Sequence, residues 1–288
     1  MRSAACAPAP APLARCGARA APPRGSRPAT TKDARDLARE QFGKNPERYV
    51  SSPVHAKGAS LDRIVELLAA RGQETVLDIA TGGGHTALAV APHVARVIAT
   101  DLTPQMLEAA RAFITGRGVT NVEFRVADAT SLPFPDGEFD AVTCRIAPHH
   151  FPDVGAFVRE VYRVLKPRGT AIVVDNVVPE DEQAAAFLNE FEKTRDPSHV
   201  WCYPPSGWVR FFEAAGFQDL QVESFFKALD FEAWTDLKGM ESGTKDRLRD
   251  MLVEAPPKAL DALFPEDRDG ALWFYLQELL VRGVKAAS

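Results

Sequence analysis

A short glycine-rich segment constrains the fold of this chain more than any other feature. Residues 76–84 read Val-Leu-Asp-Ile-Ala-Thr-Gly-Gly-Gly, and an apolar, helix-compatible run follows at residues 86–91. An apolar run, an acid, glycines and a helix in this order are typical of a buried strand that turns tightly into a helix whose N-terminus faces a ligand. Glycine suits the turn because a side chain would keep the ligand away from the backbone. The segment predicts a doubly wound α/β domain that binds a nucleotide-like cofactor.

Two cofactors are compatible with this loop. Gly82-x-Gly84-x-x-Ala87 fits the loose dinucleotide fingerprint, and Asp101 ends the next apolar run at about the spacing of a ribose-binding acid. S-adenosylmethionine (SAM) is the alternative, because its ribose hydroxyls can also donate to a carboxylate beyond a strand end. Asp78 and Asp101 fit both cofactors, so the loop alone does not decide between them.

A third signal separates the two cofactors. Residues 122–129 read Val-Glu-Phe-Arg-Val-Ala-Asp-Ala, and residues 132–142 read Leu-Pro-Phe-Pro-Asp-Gly-Glu-Phe-Asp-Ala-Val. They combine an acid after a third strand, a proline-rich turn and a fourth strand that opens on Phe-Asp. This order resembles the class I SAM-dependent methyltransferases, specifically the small-molecule branch that includes the ubiquinone and menaquinone (type 11) methyltransferases. The resemblance runs from about Gln41 to Val177.

The chain departs from the family pattern at two positions. The first family motif usually begins acid-x-Gly, whereas this chain has Asp78-x-Ala80. We expect the loop to survive, because alanine is small. The family's Leu-Lys-Pro-Gly-Gly turn reads Leu-Lys-Pro-Arg-Gly at residues 165–169, so Arg168 takes a glycine position and is expected to be exposed.

The resemblance implies a cofactor site built from residues near the ends of the first strands. Asp101 fits the ribose hydroxyls, Asp128 would contact the adenine amino group, and Asp78 would orient the loop or the cofactor's ammonium group. For a single aspartate, a turn or cap role is the alternative. The predicted cofactor-binding residues are Asp78, Ala80, Gly82, Gly84, Asp101, Leu102, Asp128, Ala129 and Arg145.

Two polar clusters are candidates for the catalytic side of the site. Residues 145–151 follow the fourth strand and contain His149 and His150, at the edge where open α/β sheets bind ligands. Either histidine could be a general base, and of the two we favour His150; a packing role is the alternative. After the fifth strand, Arg195 could hold an anionic or carbonyl oxygen, and His199 could be the base instead. A helix-end cap is the alternative there.

The acceptor is described only in outline by the sequence. Trp201, Tyr203 and Trp208 follow the second cluster and favour a small molecule that is partly apolar. The Asn/Asp-Pro-Pro-aromatic signature of methyltransferases that act on nucleic-acid bases or glutamine does not follow the fourth strand. We therefore expect in-line methyl transfer to a small molecule. The rival classes are an NAD-dependent oxidoreductase, a SAM-binding protein without transferase activity, and a methyltransferase of protein or RNA.

Hydrophobic patterning predicts the order of the secondary structure. We expect a seven-stranded, mostly parallel sheet whose last strand is antiparallel, with strands near 75–79, 96–100, 122–126, 139–144, 170–174, 220–226 and 273–284. Residues 231–263 are mostly helical and form an insertion before the last strand. They are either a partial lid over the substrate or a packing layer. In the resembling family an N-terminal helix closes over the cofactor, which makes Tyr49 and His55 further lid candidates.

Composition bounds the domain organisation and the partners. With 288 residues and 45% apolar content, residues 32–288 suffice for one methyltransferase domain. Residues 1–31 are rich in Ala, Pro and Arg, and we expect them to be a disordered tail, either an organellar transit peptide or dispensable. Since this segment holds five arginines and no acid, the rest of the chain is more acidic than the net charge of −5 indicates. An acidic body argues against a nucleic-acid partner.

Cysteine usage and hydropathy point to a cellular location. The four cysteines (Cys6, Cys16, Cys144 and Cys202) have no metal-pair spacing and imply no disulfide framework, which fits a reducing compartment. No apolar run approaches the roughly 20 residues of a membrane span. We predict a cytoplasmic protein, or an organellar one if the tail is a transit peptide. The sequence predicts no bound metal and does not indicate the oligomeric state.

Overall fold

Eight strands form one sheet in the computed structural model, which describes residues 33–51, 58–236 and 240–287. The strands are β1 (Thr75–Ile79), β2 (Arg96–Asp101), β3 (Val122–Val126), β4 (Phe139–Arg145), β5 (Leu165–Val177), β6 (Gln218–Asp230), β7 (Glu266–Arg268) and β8 (Ala271–Val284). Their order is β3-β2-β1-β4-β5-β8-β6, and β7 pairs with β8. The first five strands are parallel, whereas β8 runs antiparallel to both β5 and β6. The predicted fold class is confirmed, and the short β7 is an addition to it.

Helices cover the sheet and extend beyond one end of it. They are α1 (Ala34–Gly43), α2 (Pro46–Ser51), α3 (Ala59–Leu68), α4 (His85–Val90), α5 (Pro104–Thr115), α6 (Val154–Val164), α7 (Glu182–Arg195), α8 (Pro205–Ala215), α9 (Phe231–Asp236), α10 (Ser242–Val253) and α11 (Pro257–Leu263). Short 3-10 turns occupy Ala91–His93 and Pro148–His150. Among the residues that the structure describes, no helix is both long and apolar enough to cross a membrane.

Local sequence explains where two of these helices begin. The Asp153 carboxylate accepts a hydrogen bond from the backbone N–H of Ala156 at 2.8 Å, and this cap starts α6. Asp181 caps α7 in the same way through the N–H of Ala184 at 3.0 Å. Such caps satisfy N–H groups that have no partner within the helix, so both helices start at fixed points beside the sheet.

The strand order places a crevice beside the glycine loop. β1 lies between β2 and β4, with Val76 opposite both Val97 and Ala141. Since the order of strands along the chain reverses between β1 and β4, the crevice lies beyond the carboxyl ends of these two strands. Open α/β sheets bind their ligands at such a point.

The predicted helical insertion forms a small core of its own. Residues 231–263 contain α9, α10 and α11, which pack with α7 and the start of β8 in one apolar cluster. Phe191 of α7 stacks on Trp234 of α9 with ring centroids 5.3 Å apart, and Phe274 of β8 packs on the same indole at 4.9 Å. This core adjoins the carboxyl end of β5, so it borders the crevice.

Candidate active site

The loop after β1 is held in shape by its own backbone and by the end of β2. The N–H of Thr81 donates to the carbonyl of Thr100 at 2.8 Å, and the N–H of Gly82 donates to Asp101 Oδ2 at 3.0 Å. Ala80 and Gly82 both have a positive φ, of 52° and 54°. The loop therefore forms although Ala80 replaces the family's glycine. Ala80 adopts the left-handed conformation that favours glycine.

Asp78 lies beneath this loop and holds it in place. Its carboxylate accepts hydrogen bonds from Thr81 Oγ1 at 2.6 Å and Thr143 Oγ1 at 2.7 Å, and its side chain is buried. Burial raises the pKa of Asp78 to about 6, although the two threonine hydroxyls oppose the shift. Asp78 does not line the crevice, and its side chain joins the loop, through Thr81, to Thr143 of β4.

Gly84 also lies away from the crevice. A Cβ at this position would come within 2.9 Å of Ile114 Cδ1 and 3.1 Å of the Ala110 side chain. Gly84 therefore lets the start of α4 pack closely against α5, which is a different use of glycine from a close approach to a ligand.

Asp101 ends β2 and is half-buried at the rim of the crevice. Oδ1 accepts the N–H of Thr103 at 2.9 Å while Oδ2 accepts that of Gly82. Burial raises the pKa of Asp101, and these backbone donors oppose the shift. Each carboxylate oxygen has a second acceptor site, so both can still receive hydroxyl donors.

Asp128 follows β3 and is held from two directions. Its carboxylate accepts the N–H of Thr130 at 2.8 Å and the Nε–H of Arg35 at 2.5 Å. Burial acts to raise the pKa of Asp128, but the hydrogen bonds from Thr130 and Arg35 outweigh it and the pKa is lowered. Arg35 belongs to α1, and nothing in the sequence pattern indicated this ion pair.

A buried polar network forms another wall beyond the end of β4. Arg145 Nε donates to Ser60 Oγ at 3.3 Å, and Ser60 Oγ donates to Glu278 Oε2 at 2.7 Å. Lys227 Nζ donates to the other oxygen of Glu278 at 2.8 Å. Burial lowers the pKa of Arg145 and of Lys227, and the nearby Glu278 carboxylate opposes both shifts. Lys227 was not among the predicted site residues, because its strand reads as an ordinary alternating edge strand.

His149 is buried against a carboxylate. Its Nδ1 lies 2.6 Å from Oδ1 of Asp175 on β5, and both residues are buried. Because a carboxylate accepts, Nδ1 carries the proton in this pair. Burial acts to lower the pKa of His149, but the charge and hydrogen bond of Asp175 outweigh it and raise the pKa.

His150 and His199 have different partners. The Nδ1–H of His150 donates to the carbonyl of Ser198 at 3.1 Å, and the ring packs on Phe42 of α1 at 4.9 Å. His199 Nε2 lies 2.9 Å from Asn189 Oδ1. The His149 ring is 4.1 Å from that of His150 and 5.6 Å from that of His199, so the three imidazoles form one cluster.

Arg195 lies beside this cluster at the end of α7. Its guanidinium is 4.3 Å above the Trp234 ring, Nε donates to the Trp234 carbonyl at 3.3 Å, and Nη1 is 3.6 Å from Glu192 Oε2. Trp201 is exposed and Trp208 lies in the core, and neither lines the crevice. Trp234 and Trp273 supply the aromatic wall instead.

One cavity of about 470 Å³ brings most of these residues together. It is lined by all of the predicted site residues except Asp78 and Gly84. Tyr49 also lines it, and the Tyr49 carbonyl accepts a hydrogen bond from His85 at 3.1 Å. His55 lies outside the described residues. Lining residues that the sequence did not indicate include Arg35, Phe42, Lys227, Trp234 and Trp273.

Comparison with known proteins identifies the family. A family described as "Methyltransferase domain" matches residues 77–173. The uncharacterized methyltransferase YcgJ of Bacillus subtilis (strain 168) is 37% identical over 246 residues, which cover 85% of this chain and 97% of YcgJ. The chain belongs to the class I SAM-dependent methyltransferases.

Solved structures agree with this membership. The crystal structure of YcgJ superposes with a TM-score of 0.76 and covers 80% of this methyltransferase and 99% of that chain. A protein of Bacillus halodurans C-125, solved as a candidate methyltransferase, is 41% identical with a TM-score of 0.75, over 80% of this chain and 100% of its own. The predicted type 11 resemblance is confirmed.

A further relative matches a smaller part of the methyltransferase. The demethylmenaquinone methyltransferase of Thermus thermophilus is 41% identical over 115 residues, which cover 39% of this chain and 52% of that protein. The family membership decides between the two cofactors that the glycine loop left open. The cofactor of the methyltransferase is SAM, and a dinucleotide is not required to explain Asp101.

Proposed function

We propose that this methyltransferase transfers the methyl group of SAM to a small, partly apolar acceptor inside the cavity of about 470 Å³. The observation that carries the proposal is that one cavity has two chemically different ends. The glycine loop and Asp101 form one end, and His149, Arg195 and Trp234 form the other. The volume lies within the roughly 300–1,000 Å³ that small-molecule sites occupy.

The residues at the first end fit the cofactor. Asp101 keeps acceptor sites for two ribose hydroxyls, and Asp128 can accept from the adenine amino group. Ala80 and Gly82 line the part of the cavity that the methionine part would occupy, and both have a positive φ. Asp78 acts through Thr81 by fixing the loop rather than by contact with the cofactor.

The chain contributes alignment and exclusion of water to the in-line transfer. Bound SAM supplies an electrophilic methyl group on a sulfonium sulfur. Phe42 and Tyr49 from the N-terminal helices and Trp234 from the insertion line the same cavity. Apolar walls on several sides hold an acceptor in one orientation and keep bulk water from the reacting atoms.

Calorimetric titration with S-adenosylhomocysteine (SAH), SAM and NADH tests the cofactor end. SAM and SAH are expected to bind, and NADH is not. Asp101→Ala should weaken SAH binding by about 10- to 100-fold, because hydrogen bonds to a charged group contribute about 1.5–3 kcal/mol. Asp101→Asn keeps one acceptor oxygen and should lie between Asp101→Ala and the wild type.

Asp136→Ala is the matched control. Asp136 is 80% exposed, pairs with Arg163 at 2.8 Å and does not line the cavity. The Asp136→Ala substitution should leave SAH affinity unchanged. Thermal unfolding of each variant shows whether the fold is intact. If folded Asp101→Ala bound SAH as tightly as the wild type, the cofactor-site assignment would be wrong.

A further inference from the structure

The His149–Asp175 pair has the arrangement of a positioned base. Asp175 lies on β5 and holds Nδ1 of His149 at 2.6 Å, which fixes the ring and its tautomer. The ring lines the cavity, and within the described residues Nε2 of His149 has no hydrogen-bond partner. A carboxylate on one imidazole nitrogen stabilises the imidazolium that forms when the other nitrogen takes a proton.

We propose that His149 is the general base of the methyl transfer, that Asp175 is its positioning residue, and that the acceptor is a phenol. This proposal rests on the proposed function, because it assigns the second end of the same cavity. It assigns the base to His149, whereas the sequence favoured His150, and it adds a chemical class for the substrate.

His199 is a poor base in this site. The amide of Asn189 donates to the carbonyls of Ala185 and Cys202, so its Oδ1 is the atom facing His199, and Nε2 of His199 must carry the proton. Burial, followed by the charge of His149, lowers the pKa of His199 to about 3. Its buried Nδ1 has no partner among the described residues and can accept a hydrogen bond but cannot hold a proton near neutral pH.

His150 is the weaker candidate for a simpler reason. Nδ1 of His150 lies 3.1 Å from the carbonyl of Ser198 and 3.2 Å from its Oγ, and since that hydroxyl donates to Asp196, both partners of Nδ1 are neutral acceptors. A neutral carbonyl stabilises an imidazolium less than a carboxylate does. His150 also packs on Phe42 and so helps to hold α1 against the cavity.

The acceptor class follows from acidity and charge. A phenol has a pKa of about 10, within reach of an imidazole base, whereas a water-like hydroxyl has a pKa of about 16 and is not. Arg145, Arg195 and Lys227 line the cavity, in addition to Arg35 beside Asp128, and their charges can stabilise a developing phenolate. Trp234 and Trp273 line the same cavity and give it an apolar, aromatic wall that suits an aromatic acceptor.

The step balances without a further reactant. The phenol O–H bond breaks and its proton goes to Nε2 of His149. The phenolic oxygen forms a new bond to the methyl carbon as the carbon–sulfur bond breaks, and the electron pair of that bond stays on sulfur. The products are a methyl ether, SAH and a His149 imidazolium held by Asp175, which then releases the proton to solvent.

The pH dependence follows from the groups around His149. These are Asp175 on β5, Glu192 on α7, Asp196 after it, and the rings of His150 and His199, and Arg195 of α7 lines the same cavity. Asp175, Glu192 and Asp196 together hold the pKa of His149 above its ordinary value. The base must be neutral, so kcat should rise with pH through a pKa above about 6.5.

Methyl transfer from methyl-labelled SAM to phenol, catechol, hydroquinone and 4-nitrophenol tests the acceptor class. Benzyl alcohol and aniline serve as comparators of similar size. Methyl ethers are expected from at least one phenol and none from benzyl alcohol. If SAH binds but no phenol is methylated, the inference is overturned while the proposed function stands. If SAH does not bind, the proposed function itself fails.

Two variants test the base. His149→Asn keeps an amide N–H for Asp175 but deletes Nε2, and should lower kcat by about 10²- to 10⁴-fold while SAH affinity is retained. Asp175→Asn removes the charge, so the rising limb of the kcat profile should move to lower pH by about one unit or more. Retained kcat in His149→Asn, or an unmoved limb in Asp175→Asn, would overturn the assignment.

Histidine ring NMR gives a readout that is independent of turnover. In the protein without cofactor, the resonance lost in His149→Asn should titrate above about pH 6.5 and shift to lower pH in Asp175→Asn. This measurement applies even if His149→Asn is too unstable for kinetics. A rising limb that disappears in His150→Asn but persists in His149→Asn would make His150 the base instead.

Discussion

Ala80 and Arg168 occupy positions where the resembling family has glycine. Both have left-handed backbones, with φ of 52° at Ala80 and 64° at Arg168. This conformation costs a residue with a Cβ roughly 1–2 kcal/mol. The fold therefore accepts two strained residues, one in the cofactor loop and one in the exposed turn within β5.

Arg168→Gly should stabilise the methyltransferase. The Arg168 side chain is exposed, and its backbone N–H, which donates to the Lys285 carbonyl at 3.0 Å, is kept by glycine. Relief of strain, less the extra entropy of glycine in the unfolded chain, should raise the free energy of unfolding by about 0.5–1 kcal/mol. Arg168→Ala is the control, because it removes the same charge but keeps a Cβ. Equal unfolding free energies of the two variants would show that strain is not the cause.

Residue types and spacing predicted the cofactor end better than the acceptor end. Asp101 ends one strand and Asp128 follows another, and both strands have a recognisable apolar pattern, so the position of the two aspartates at the sheet edge could be predicted. The choice between His149 and His150 depends on Asp175, which lies within the buried strand β5. A sequence shows two adjacent histidines as equivalent, because the partner that distinguishes them is 26 residues away.

Helix α1 reaches the cavity although none of its residues is buried. It is held by Arg35, which bonds to Asp128 and Thr130, and by Phe42, which packs on Tyr49 and His150. A helix with no buried residue of its own is among the first elements to open locally. The Arg35–Asp128 pair thus links the opening of α1 to the adenine end of the cavity.

Arg35→Ala should increase local opening of α1 without a large change in global stability. A half-exposed ion pair contributes about 0.5–1 kcal/mol, so amide exchange of residues 34–43 should speed up by about two- to fivefold. Arg39→Ala is the matched control, because Arg39 lies on the same helix and its partner within the described residues is the neighbouring Asp36, at 3.1 Å. Equal exchange rates in the two variants would mean that Arg35 does not hold the helix.

The helical insertion was predicted as an element, but its role could not be read from its sequence. Within it, Ala233 and Trp234 of α9 line the cavity, whereas no residue of α10 or α11 does. The helical period of these segments is similar, so the pattern does not reveal which face meets a substrate. That depends on α7 and β8, which pack against α9 from distant parts of the chain.

At the scale of the whole molecule, the buried apolar side chains of the described residues form three clusters. Two of them lie in the sheet and its covering helices, and the third lies in the insertion. The third cluster includes Trp234, which is also a wall of the cavity. Packing in the insertion and the shape of the acceptor end are therefore coupled.

Leu248→Ala should show whether packing in the insertion affects acceptor binding beyond a general loss of stability. Leu248 lies on α10, is fully buried in the third cluster and does not line the cavity. Its truncation should cost about 2–5 kcal/mol of unfolding free energy and raise the KM for an acceptor without changing SAH affinity. Leu68→Ala, in a cluster of the sheet, should lower stability without raising that KM. The same KM in both variants would argue against the coupling.

The position of β8 in the sheet means that β6 cannot join the sheet until β8 has been synthesised. β6 leaves the ribosome before β8 but lies beyond it, since β8 pairs with both β5 and β6. Until β8 emerges, β6 has no neighbour in the sheet and β5 presents an open edge. Open edges invite pairing with other chains, so nascent methyltransferase is most prone to aggregate in the interval between synthesis of β6 and of β8.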